Sequence, residues 1–119
     1  MRDMKLGAIE SRFADIIWNH EPLRTGELFK MAEIELGWKR QTSYTILKRL
    51  CEKGLFLNEG RTVTSLISRE EFYARQSEQF VEETFEGSLP AFLAAFGSRK
   101  KLSGEEIDEL KRVIESMRR

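Results

Sequence analysis

The sequence predicts a mainly α fold with one small β hairpin, and three features of its pattern say so. Apolar residues recur at helical spacing up to Gly54, alternate over a short stretch after it, and return to helical spacing from Ser68 onward. Gly37 and Gly54 stand where helical runs stop. The capping pattern S-x-x-E is written twice, as Ser68-Arg69-Glu70-Glu71 and Ser103-Gly104-Glu105-Glu106, which starts helices at both serines.

Taken in order, Ile9, Phe13, Ile16 and Ile17 form the inner stripe of a first helix ending near Trp18 and Asn19, and His20-Glu21-Pro22 closes it. His20 at that end suits the negative pole of the helix dipole. Thr25 reads as the N-cap of a second helix, with Glu27 in its first turn and Leu28, Phe29, Ala32 and Leu36 facing inward. Gly37 stops it, and only Trp38 and Lys39 precede the third helix, so the two are joined by the tight turn of a helix-turn-helix. In the third helix Ser43, Ile46, Leu47 and Leu50 are the buried stripe. Leu55 to Asn58, a turn at Glu59-Gly60, and Arg61 to Leu66 read as a hairpin. Three helices and a hairpin make a winged helix, here expected over residues 1–67.

The outer face of the third helix suggests a use. Gln41, Tyr44, Thr45 and Lys48 lie opposite the buried stripe, Thr42 and Arg49 flank them, and Lys39 and Arg40 precede them. Glutamine and threonine reach base edges in a major groove, and lysine and arginine pair with phosphates or guanine. Net charge over the 119 residues is zero, but between Lys39 and Arg61 six bases face only Glu52 and Glu59. Arg61, just past the wing turn, is expected to point at the phosphate backbone or minor groove. An ordinary solvated helix face would carry similar residues.

Three further helices are expected at about 69–86, 89–96 and 104–118, forming a second domain over 68–119. Their narrow, aromatic stripes (Phe72, Phe80 and Phe85; Leu89, Phe92, Leu93 and Phe96; Ile107, Leu110 and Ile114) are too sparse for a core of their own. A second copy of the chain would cover them, so these residues are the expected homodimer interface, and a dimer matches a palindromic DNA site; the alternative is that these helices pack onto the winged helix of their own chain.

Other chemistries find no support. One cysteine, Cys51, and one histidine, His20, make neither an intrachain disulfide nor a zinc site, and no nucleophile triad or phosphate-cradling loop is present. No catalytic residue, cofactor or metal is expected. The longest apolar run, AFLAAF at 91–96, falls short of the roughly 20 residues a bilayer span needs, and the opening MRDMKLG lacks a signal-peptide core, so a cytoplasmic protein without a membrane partner is expected.

Together these residues resemble the penicillinase-repressor (BlaI and MecI) family of bacterial transcription factors. The likeness runs through Leu6, Glu10, Ile16, Ile17 and Trp18; through Trp38, Thr42, Thr45, Lys48, Arg49, Leu50 and Lys53-Gly54; and through Leu66 to Phe72, Phe80, Phe85, Gly87-Ser88-Leu89 and Leu102-Ser103. The resemblance implies a dimeric repressor of antibiotic-resistance genes, bound to an inverted-repeat operator and released when a sensor-linked protease cuts its C-terminal part. The chain departs from the pattern in a wing about four residues shorter than is usual, in Gly7 where a capping serine or threonine is usual, and in Ala95-Phe96 where antibiotic-responsive members have Asn-Phe. Any cut is therefore expected in the loop 97–101. The clustered C-terminal cysteines of copper-responsive members are absent. The alternative is a winged-helix module that binds a protein instead of DNA, and the basic, acid-poor third helix argues against it.

Overall fold

The computed structural model describes residues 5–119; residues 1–4, with which the expected first domain begins, lie outside the described residues. The elements run α1 Ala8–His20, β1 Leu23–Arg24, α2 Thr25–Leu36, α3 Arg40–Glu52, β2 Phe56–Glu59, β3 Thr62–Ser65, α4 Arg69–Phe85, α5 Leu89–Arg99 and α6 Gly104–Ser116. They divide into a compact unit that runs through Gln79 and a second from Phe80 to Arg119.

In the first unit α1 buries Phe13, Ala14, Ile16 and Ile17; Ile9 lies on the same side but past the end of the core, and is half-exposed. Gly7 has no side chain to cap the helix, but its N–H donates to the Glu10 carboxylate at 3.1 Å, which keeps half of a capping box. At the other end the His20 ring hydrogen-bonds the Ile16 carbonyl at 2.9 Å.

The entrance to α2 differs from expectation. Thr25 is the first helical residue and not the cap, because Leu23 and Arg24 are spent on a short strand. This β1 pairs antiparallel with β3, Leu23 opposite Val63 and Arg24 opposite Thr62, giving a three-stranded sheet in the order β1-β3-β2. The Thr25 N–H donates to the Arg61 carbonyl at 3.0 Å, and Glu27 reaches back to accept from the Arg24 N–H at 3.0 Å. These bonds dispose of two donors that a helix start would otherwise leave open.

At its far end α2 stops on Gly37, whose φ of 70° is the left-handed cap a side chain resists. Trp38 then stacks on Phe13 at 5.0 Å, fixing the turn into α3. There Ser43, Leu47 and Leu50 are buried, as their spacing predicts. The Ser43 hydroxyl has no hydrogen-bond partner among the described residues, so what the core uses there is its small volume.

The hairpin pairs Phe56 with Ser65 and Glu59 with Thr62. Its loop is Gly60-Arg61, both at positive φ (58° and 63°), the signature of a type I′ turn. Arg61 is thus inside the turn, not past it, and pays on the order of 1 kcal/mol for a conformation that glycine or asparagine adopts readily.

The first unit also extends beyond the expected boundary at residue 67, because the start of α4 is bolted to it. Phe72 is fully buried in the core, 5.6 Å from the Trp18 ring, and the Trp18 indole N–H donates to the Ile67 carbonyl at 3.0 Å. Arg69 pairs with Asp15 at 2.8 Å and lies over the Tyr73 ring. Asp15 raises the Arg69 pKa further, although an exposed pair of this kind adds little stability. Phe72 was expected at a dimer interface; it is instead a core residue of its own chain, inaccessible to a second copy.

In the second unit, α5 and α6 bury no residue at all. Phe80, Phe85 and Phe92 meet edge to face at 5.7–6.1 Å. Ser103 caps α6 with the full reciprocal box expected of it. The expected loop 97–101 is largely helical, since α5 continues through Gly97, Ser98 and Arg99; the irregular stretch is Lys100–Ser103.

Candidate nucleic-acid interface

α3 begins with Lys39 as its N-cap and presents three different edges. Opposite the buried stripe, Gln41, Thr45 and Lys48 form an exposed ridge along its length. On one side Arg40 and Tyr44 turn toward the wing. On the other, Thr42 and Arg49 turn toward α1, where Arg49 meets the Glu10 carboxylate at 3.5 Å. Both partners of that ion pair keep contact with water, so it steers Arg49 more than it stabilises the fold.

The wing side is concave. Arg40, Gln41 and Tyr44 join Thr25 and Phe29 of α2 and Asn58 and Arg61 of the hairpin around an open groove of about 710 Å³. The Arg40 guanidinium lies 5.4 Å from the centre of the Phe29 ring, which holds the charge at the groove. A second hollow of about 440 Å³ shares Thr25, Arg40 and Arg61 and adds Arg24, Gly26, Glu27 and Lys30. Arg61 owes its place here to the turn, since its own carbonyl is tied to Thr25.

Of the nine expected DNA-contacting residues, the structure gathers Arg40, Gln41, Tyr44 and Arg61 around one groove and sets Thr45 and Lys48 on the adjoining ridge, while Lys39 stands at the head of the helix and Thr42 and Arg49 lie on the far flank. Arg24, Lys30 and Asn58 were not anticipated. The first two are basic residues beside Arg61 that only the pairing of β1 with β3 brings there.

The chemistry of this surface is that of polar recognition. Among the described residues no group of three or more His, Cys, Asp or Glu is arranged to hold a metal ion. Burial pushes the half-buried Cys51 thiol up from its ordinary pKa, against a backbone hydrogen bond at Asn58 that lowers it. No helix among the described residues is long and apolar enough to cross a membrane.

Comparison with known proteins assigns the family and the fold. The family model described as Penicillinase repressor matches residues 6–116. The chain belongs to the penicillinase repressor family. It is 32% identical over 104 residues to the penicillinase repressor of Bacillus licheniformis, covering 84% of this chain and 81% of that one. It is 22% identical over 115 residues to the methicillin resistance regulatory protein MecI of Staphylococcus aureus, covering 92% and 93%. Among solved structures, the DNA-binding domain of the repressor BlaI superposes with a TM-score of 0.51 at 28% identity, over 60% of this chain and 93% of that domain. The monomeric form of Bacillus licheniformis BlaI in complex with the blaP half-operator superposes with a TM-score of 0.50 at 28% identity. The winged helix expected from the sequence is thus the winged helix of this family.

Proposed function

We infer that this member of the penicillinase repressor family is a homodimeric transcriptional repressor, each first unit holding one half of an inverted-repeat operator. The observation that carries the reading is the meeting of Arg40, Gln41 and Tyr44 of α3 with Asn58 and Arg61 of the wing around one open groove beside the exposed ridge. In this arrangement α3 enters the major groove, Gln41, Thr45 and Lys48 face the bases, and Arg40 and Arg61 take the phosphates of the adjoining strand. The BlaI complex with a half-operator supports one module per half-site. A protein-binding module is the weaker reading, because Lys48 and Arg61 stand exposed without an acidic partner among the described residues.

Salt dependence tests this. Log affinity for DNA is expected to fall with log salt by about 0.9 for each phosphate neutralised. Arg40→Ala and Arg61→Ala should each flatten that slope by about 0.9 per bound subunit and weaken operator and random DNA alike, whereas Lys48→Ala should chiefly reduce discrimination between sequences. Arg49→Ala, already steered toward Glu10, should change the slope less. A Lys48/Arg61 double alanine variant with the slope and affinity of the parent would refute the interface.

The second unit supplies the proposed dimer contact. Phe80, Phe96 and Ile114 are 46–50% exposed, and Phe92, Leu93, Phe96, Leu102, Leu110 and Val113 line an apolar groove of about 370 Å³. A sensor-linked protease belongs to the same proposal. The Ala95-Phe96 bond lies inside α5, where a protease would have to unwind regular helix, whereas Lys100 is already extended at φ −119° and ψ 118°. Mass mapping of chain recovered from β-lactam-treated cells is expected to give either intact protein or a cut within 100–103. A fragment ending at Ala95 would show that α5 opens for a protease.

A further inference from the structure

We propose that Thr45 reads a thymine of the operator through its methyl group, a role that rests on the placement of α3 in the major groove. The Thr45 hydroxyl donates to the Gln41 carbonyl one turn earlier, at 3.0 Å. A hydroxyl has one hydrogen to give, and this one is given to the helix's own backbone. The bond draws the oxygen back against the preceding turn, so the γ-methyl is the part of the side chain left to face outward.

The neighbours sharpen the contrast. Thr45 sits on the ridge between Gln41 and Lys48, whose side chains have no hydrogen-bond partner among the described residues. Gln41 brings a donor and an acceptor and Lys48 brings three donors, while Thr45 brings no donor at all. It therefore cannot offer a hydrogen bond to guanine O6 or N7, or to thymine O4. The one base feature in the major groove that rewards an apolar group is the thymine 5-methyl. Gln41 and Lys48 supply the polar contacts of the ridge, and Thr45 supplies discrimination between thymine and cytosine at one position.

The test removes the two methyl groups separately. The intact protein is used to enrich duplexes from a random-sequence pool, and each thymine in the protected region is replaced in turn by deoxyuridine, which differs only in lacking the 5-methyl. At one thymine per half-site the replacement should weaken binding about fourfold, the value of one buried methyl-sized contact. Thr45→Ser should lose about the same on the thymine duplex and become indifferent to uracil there. Thr45→Val should keep both the affinity and the sensitivity to uracil.

The opposite pattern overturns the proposal. If Thr45→Ser binds like the parent and Thr45→Val is impaired, the oxygen is the reading group, accepting from an adenine or cytosine amino group. Indifference of the parent protein to every uracil overturns it as well, while leaving operator binding intact. Enrichment of no sequence at all would remove the operator reading, and this role for Thr45 with it.

Discussion

Replacing Phe72 by alanine is expected to destabilise the DNA-binding unit by about 3–5 kcal/mol, the usual cost of emptying a buried phenylalanine site. Phe72 has no exposed surface, and it packs against Trp18 and Tyr73 where α1 meets the start of α4. The loss would not stop at the cavity. Trp18 also packs on Phe56 at 5.1 Å and holds the Ile67 carbonyl, so a gap beside its ring loosens β2 and the β3–α4 connection together. For a unit of this size each kcal/mol lowers Tm by roughly 4–8 °C, which makes the effect plain in a thermal melt. Phe80→Ala is the comparison, because Phe80 is 49% exposed and lies outside the first unit. Its expected cost falls on self-association and leaves the melting of the first unit nearly unchanged. A Phe72→Ala chain that melts like the parent but sediments as a monomer would return Phe72 to the dimer interface.

That contrast marks how far the sequence could be read. Periodicity says that a side chain is covered, not what covers it. Phe72 and Phe80 stand on the same aromatic helix, and nothing local distinguishes the one that fills its own core from the one left open. The three helices of the first unit were legible because Phe13, Ile17, Leu28, Ala32, Leu47 and Leu50 repeat at helical spacing and their partners are near in sequence. β1 was not, since two residues cannot display an alternation, and Leu23–Arg24 is a strand only by virtue of β3 some forty residues later. The same long-range pairing displaced the cap expected at Thr25, whose N–H goes to Arg61, and brought Arg24 and Lys30 to the candidate interface.

On α3 the sequence distinguished outer from inner positions, but the division of the outer face came from its neighbours. Arg40 and Arg49 are both basic and both exposed, yet one lies over Phe29 beside the wing and the other meets Glu10 on α1. Arg61 shows the opposite case, a residue whose place beside α3 was legible and whose turn geometry was not. A left-handed backbone at an arginine is locally unfavourable, so no residue preference in the sequence announces it.

Ending the chain after Gln79 is expected to leave a folded, monomeric winged helix whose affinity for an inverted-repeat duplex falls by about 10²–10⁴, because one subunit then binds without the second held nearby. On a duplex carrying a single half-site the truncated and full-length proteins should bind alike. The placement of the cut matters. A chain ending at residue 67 keeps every element of the winged helix but loses Phe72 from the core, together with the Arg69–Asp15 pair, so it should be markedly less stable than the chain ending at Gln79. The two truncations therefore separate assembly from folding: both should be monomers, and only the shorter should melt early. Sedimentation equilibrium of the longer fragment decides the first point, since a stable dimer there would move the subunit contact into the DNA-binding unit. Equal melting of the two fragments decides the second against us, because Phe72 would then contribute nothing that the winged helix lacks without it.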